Sequence, residues 1–248
     1  MRRKHPPVPL YPSGPNCSGC PFRETSFGYA PTSSPSIRLE IRDRIPHEVY
    51  KTIDTPYLFL LEALGADECE QGRNACGPTG NVFNNLLHEN TPILRMDQTV
   101  ANVCRCNPVE WIECPPCKGA HESTSKAVAG PRVHACSTCK GKGQVPMLNS
   151  AGNGYVNKKP SPAQIRECAS RYTDDLLARF TGKYIVGLGK TPLEYLSGRA
   201  LSVRKYRGTA FESGRLKPCT NCSGSGTVPR PPKKCQICMG HGHGKCSC

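Results

Sequence analysis

The 248-residue chain lacks any run of 18 apolar residues, which excludes a helical membrane span. Its basic opening, MRRKHPPVPLYPSGP, has no apolar stretch behind it, so a secretion signal is not expected either. Hydrophobic residues reach only 37%, low for a compact enzyme but too high for a wholly disordered chain. Acidic residues are scarce beside basic ones, 19 against 33, and the formal charge of +14 predicts a polyanionic partner, with nucleic acid the leading class. These absences predict a soluble, cytoplasmic, monomeric protein with no membrane partner. Abundant glycine and proline (24 each) predict much loop.

What the chain has in excess is cysteine, 17 residues. Without a secretory context, the spacing favours metal over disulfides. Cys17–Cys20, Cys114–Cys117, Cys136–Cys139, Cys219–Cys222 and Cys235–Cys238 are all Cys-x-x-Cys, which lets one turn aim two thiolates at a tetrahedral ion. Four pairs belong to a repeat, CPPCKGAH, CSTCKGKG, CTNCSGSG and CQICMGHG. The repeat resembles the CxxCxGxG zinc module of DnaJ-type chaperones, although no HPD tripeptide of a J-domain is present. Local pairing would place one zinc on Cys114, Cys117, Cys136 and Cys139 and a second on Cys219, Cys222, Cys235 and Cys238. Nested pairing of first repeat with fourth is the alternative. Cys246 and Cys248 are left over, near His241 and His243. Three tetrathiolate centres, each carrying a net charge of about −2, would lower the charge to roughly +8 without changing its sign.

Between the cysteine repeats lies an alternation of strand and helix. Residues 56–65 and 98–104 read as buried strands, 80–89 as an amphipathic helix, and 183–189 as a third strand. Ser161, Pro162 and Gln164 form a capping box that opens a helix whose apolar face runs through Cys168 to Phe180. Thr191 is the expected N-cap of a short helix, and the stretch 31–50 reads as a polar surface loop. The expected class is α/β with a parallel sheet. The segments are a disordered N-terminus (1–15), a core in two parts (16–108 and 160–211), a zinc-repeat insertion (109–159) and a C-terminal zinc-repeat segment (212–248).

The core resembles the iron–sulfur, family 4 type of uracil-DNA glycosylase. The resemblance rests on ordered fragments: Cys17-Ser-Gly-Cys20-Pro21-Phe22 for CxxCPL, Leu61–Gly65 for GEAPG, Ala66-Asp67-Glu68 for GADE, and Gln71-Gly72-Arg73 for the start of QGRPFVG. Gly77–Gly80, Asn102–Pro108 for NVVKCRP, Glu167-Cys168, Tyr184–Gly189 for IVALG and Arg207-Gly208 continue it. The resemblance implies a three-layer sandwich of the uracil-DNA glycosylase type and a 4Fe–4S cluster on Cys17, Cys20, Cys106 and Cys168, with Cys69, Cys76 and Cys104 as ordinary thiols. It implies catalytic roles for Glu62 and Glu68, base contacts from Asn102, Asn74, Ala75 and Gly77, and DNA-phosphate contacts from Arg204, Lys205, Arg207 and Gly208. The implied activity is hydrolysis of an N-glycosidic bond in DNA after base flipping.

Two departures from the family shape the expected substrate. Ala75 stands where a phenylalanine would stack on uracil, which suits a bulkier pyrimidine, such as a hypermodified cytosine of viral DNA in antiviral defence. No His-Pro follows the Arg207-Gly208 loop, so the histidine that would donate to the leaving base has no counterpart. Uracil-DNA repair, a non-catalytic nucleic-acid-binding protein and a chaperone-like zinc protein are the alternative readings.

Overall fold

The computed structural model describes residues 8–120, 122–127, 130–150 and 155–210, with the strand pair 227–228 and 233–234. The second quartet (Cys219, Cys222, Cys235, Cys238), Cys246, Cys248, His241 and His243 lie outside the described residues. The strands run β1 (Ser26–Phe27), β2 (Arg38–Arg42), β3 (Ile45–Val49), β4 (Tyr57–Ala63), β5 (Thr99–Cys104), β6 (Asn107–Pro108), β7 (Trp111–Glu113), β8 (Glu122–Ala127), β9 (Gly130–Ala135), β10 (Gln144–Pro146) and β11 (Tyr184–Gly187). The helices are α1 (Ala66–Gln71), α2 (Gly77–Asn90), α3 (Pro162–Cys168), α4 (Asp174–Arg179), α5 (Lys190–Ser197) and α6 (Val203–Tyr206). Among the described residues no helix is long and apolar enough to cross a membrane.

The centre is a parallel sheet of order β11-β4-β5, so the expected α/β class is found. Side chains alternate across its strands. Leu58, Leu60, Ala101 and Val103 pack with Leu176, Leu177, Tyr195 and Leu196 from α4 and α5, whereas Phe59 and Val100 pack with Phe83 and Leu87 of α2. Helices therefore cover both faces. The chain leaves the central strand β4 toward β5 on one side and returns to β11 on the other. Such a reversal opens a crevice at the carboxyl ends of the strands. Glu62, Ala63 and Asn102 stand at that end, with Leu61 opposite Asn102 and Ala63 opposite Cys104.

The Ser161 capping box forms as the sequence predicts, with the Gln164 amide 3.2 Å from Ser161 Oγ and the Ser161 amide 2.9 Å from Gln164 Oε1. A π-helical turn, Ala169–Thr173, joins α3 to α4. Three local expectations are corrected. Residues 38–49 form the hairpin β2–β3 rather than a loop, because Arg38-Leu39-Glu40-Ile41-Arg42 alternates with period two and Asp43-Arg44 supplies the turn at positive φ. The helix expected at Thr191, α5, is capped by Gly189, with Thr191 inside it and buried. Residues 8–15 are held against the core: the Leu10 amide donates to the Cys69 carbonyl (2.9 Å), and Tyr11 bridges Tyr29.

Candidate metal centres and base pocket

The four cysteines of the first repeat pair converge. Sγ atoms of Cys114, Cys117, Cys136 and Cys139 all lie within 4.8 Å of one another, and all four residues are buried. With a Zn–S bond of about 2.3 Å, the edge of a tetrahedral thiolate site is about 3.8 Å. Cys114 and Cys136 sulfurs are 3.8 Å apart, and those of Cys117 and Cys139 are 3.7 Å apart. The two turns are near-copies. The Ala120 amide donates to the Cys117 carbonyl (2.8 Å) and the Lys142 amide to the Cys139 carbonyl (3.0 Å). Backbone hydrogen bonding, first from Cys139, lowers the Cys136 thiol and so favours the thiolate that a metal requires. The quartet can therefore hold a metal, and its four thiols come from local pairing of the two repeats. Cys136→Ser is expected to remove about one equivalent of metal per chain from the purified protein, by elemental analysis. Undiminished metal would show that the quartet is not a site.

A second group of cysteines lines one cavity: Cys17, Cys20, Cys104, Cys106 and Cys168. Three elements bring them there. β5 ends at Cys104 and leads into Arg105-Cys106, and β6 pairs antiparallel with β1, tying the N-terminal Cys-x-x-Cys segment to this end of the sheet. Cys168 closes α3, and the π-turn after it presents Arg171 and Tyr172 to the N-terminal turn. The Arg171 guanidinium donates to the carbonyls of Asn16 (2.8 Å), Ser18 (2.9 Å) and Gly19 (3.3 Å), while Tyr172 Oη lies 3.3 Å from Cys17 Sγ. The Arg105 amide donates to Cys168 Sγ (3.0 Å). Among the described residues, the group of four thiols within 4.8 Å of one another is the first quartet and does not include these five cysteines.

Cys104 is not the isolated thiol that the sequence suggests. Its sulfur is 3.6 Å from that of Cys106, across the bend that follows β5. This contact raises the Cys104 thiol well above its usual range and lowers Cys106. Arg105, between them, is a cavity residue that no sequence motif marks. It is 1% exposed, donates to Thr32 Oγ1 (2.6 Å), and lies 3.4 Å from Glu48 Oε1. Its Nε has no partner, and the residue lines the cysteine cavity. A buried cation with a spare donor fits beside an anionic centre.

At the carboxyl end of the sheet, Asn102 and Asn74 pair directly. Both are buried, and Asn102 Nδ2 donates to Asn74 Oδ1 at 2.8 Å. Asn74 Nδ2 in turn donates to the Pro31 carbonyl, which can only accept. The chain of bonds fixes both amides and leaves Asn102 Oδ1 buried without a partner. Glu62 is one-third exposed, with Lys159 Nζ 3.9 Å from its carboxylate. Glu68 Oε2 accepts from the Gly65 amide (3.0 Å), closing the turn that starts α1. Ala75 is fully buried among Phe59, Phe83, Leu87 and Val100 at φ 45°, so its side chain belongs to the core beneath α2. Gly77 starts α2 at φ 72°, and a Cβ there would meet the Asp67 carboxylate. Arg204, Lys205, Arg207 and Gly208 are exposed on and just after α6. No protein-family model matches the chain. Nor does any curated protein match it significantly.

Proposed function

We propose that the protein is a DNA glycosylase of the uracil-DNA glycosylase type, acting on a flipped-out damaged or modified pyrimidine. The observation that carries this reading is the buried, unpartnered Asn102 Oδ1 at the carboxyl end of a parallel sheet, in register with Leu61, the residue before Glu62. A buried acceptor without a donor costs about 1–3 kcal/mol, and a pyrimidine N3–H or 4-amino group would satisfy it. Glu62 orients the attacking water. As the C1′–N bond breaks, its electron pair leaves with the base; water supplies the hydroxyl at C1′, and its proton passes by way of Glu62 to the departing base. Arg204, Lys205, Arg207 and the Gly208 backbone hold phosphates.

Cys17, Cys20, Cys106 and Cys168 are assigned to a 4Fe–4S cluster, and the two cysteine quartets to zinc. The cluster's contribution is structural: it ties the N-terminal segment and α3 to the end of β5. The proposed base is bulkier than uracil, such as a hypermodified cytosine of viral DNA in antiviral defence. Uracil-DNA repair is the second reading, and two observations favour it. Ala75 faces the core, and the free acceptor on Asn102 suits an imide N3–H.

The purified protein incubated with unmodified, uracil-containing and heavily modified duplexes is expected to leave abasic sites in one of the latter two. Glu62→Ala should slow the reaction about 10²–10⁴-fold with little loss of duplex binding. Duplex binding with no abasic sites on any substrate would leave a non-catalytic DNA-binding protein.

A further inference from the structure

We infer that Lys118 and Lys140, at equivalent positions of the two metal-binding turns, form a two-point clamp on nucleic-acid phosphates. Each follows the second cysteine of its Cys-x-x-Cys, and each has left-handed backbone, φ 46° and 51°. A long side chain is disfavoured there, whereas glycine adopts the conformation freely. The turn requires the positive φ whatever residue fills it, yet the chain places lysine there twice. In the two repeats outside the described residues the same position holds Ser223 and Met239, so a metal turn of this type does not itself demand lysine.

Both lysines are exposed, and neither ammonium has a hydrogen bond or ion pair among the described residues. Lys142, by contrast, is engaged with Glu24, and Trp111 Nε1 donates to the Thr25 carbonyl (2.8 Å). Those contacts dock the module beside the N-terminal cysteine turn and leave the other two cations uncommitted. A zinc held by four thiolates carries a net charge of −2 and would repel DNA. Two ammonium groups cancel that charge, and with the strongly basic chain around them they turn the module attractive to phosphate. Strain retained at two equivalent sites to hold two unpaired cations points to a ligand for them.

The inference rests on the DNA-binding part of the proposed function, but its test does not depend on catalysis. The full-length double variant K118G/K140G is compared with wild type for binding to a short unmodified labelled duplex over a range of salt. Glycine relieves the backbone while removing the charge. Weaker binding is expected, with the log–log salt dependence shallower by about one unit per lysine. Metal retention against a chelator should be equal or better, and K118R/K140R should bind as wild type does. Unchanged duplex affinity and salt slope would overturn the inference. So would metal loss in the glycine variant, since the lysines would then serve the metal centre. If no abasic sites form on any DNA but the salt slope falls as expected, the clamp stands and the glycosylase reading fails.

Discussion

Replacing Arg105 by methionine is expected to destabilise the protein by about 3–5 kcal/mol, the usual consequence of removing one partner of a buried ion pair. Glu48 would remain, one-tenth exposed, with its carboxylate accepting only from the Thr32 amide (2.8 Å) and the Tyr29 hydroxyl (3.1 Å). Burial by itself works against the Arg105 charge, but Glu48 and Tyr29 outweigh it and raise the guanidinium's pKa. The guanidinium therefore stays charged in its buried position. The double variant R105M/E48Q should recover most of the loss, because it leaves no buried charge behind. Urea unfolding of wild type, the two single variants and the double variant closes the cycle. Additive losses would show that Arg105 and Glu48 do not act as a pair. On the cluster reading, iron content measured on the same samples reports on a second role, since Arg105 also lines the cysteine cavity. Loss of iron in R105M/E48Q despite recovered stability would assign the side chain to the cysteine cavity.

Arg105 also illustrates what the sequence conceals. The central strands are legible because β4 and β5 are short apolar runs buried on both faces, Leu58-Phe59-Leu60 and Val100-Ala101 among them. The Ser161 helix start is legible because its cap is encoded in three adjacent residues. The first metal quartet is legible because two residues between cysteines are a local constraint, and the partner turn lies close in sequence. The hairpin β2–β3 is hidden by its charge: its alternation pairs apolar Leu39 and Ile41 with arginine and glutamate, and both apolar side chains remain exposed. The interactions of Arg105 span 57 residues to Glu48 and 73 to Thr32, and no local pattern announces such contacts. Cys104 joins the cysteine cavity at the bend between β5 and β6 rather than through a Cys-x-x-Cys spacing. Ala75 is the opposite case. Alignment with a stacking residue suggests a base pocket, while its positive φ and its packing turn the side chain into the core.

Asn102→Ala should produce the largest change at the site, and it should change two quantities at once. Removing the amide leaves Asn74 Oδ1 without its donor, for a stability loss of about 1–3 kcal/mol. On the glycosylase reading it also removes the acceptor that holds the base edge, and excision should fall by about 10²–10³-fold, as for loss of one preorganised hydrogen-bonding group. Asn74→Ala separates the two effects. Asn74 is a positioning residue: the Pro31 carbonyl orients its amide, and its Oδ1 orients that of Asn102. Without it, Asn102 is free to rotate and present its NH₂ in place of its oxygen. The stability loss should be similar to that of Asn102→Ala, the fall in rate smaller, and discrimination between pyrimidines offering a hydrogen-bond donor and those offering an acceptor should narrow. Rates of abasic-site formation on matched duplexes, set beside urea midpoints for the same variants, decide between the roles. If Asn102→Ala and Asn74→Ala lose stability alike while excision and selectivity stay at the wild-type level, the asparagine pair is only a brace between the Asn74 loop and β5, and the base must be read elsewhere.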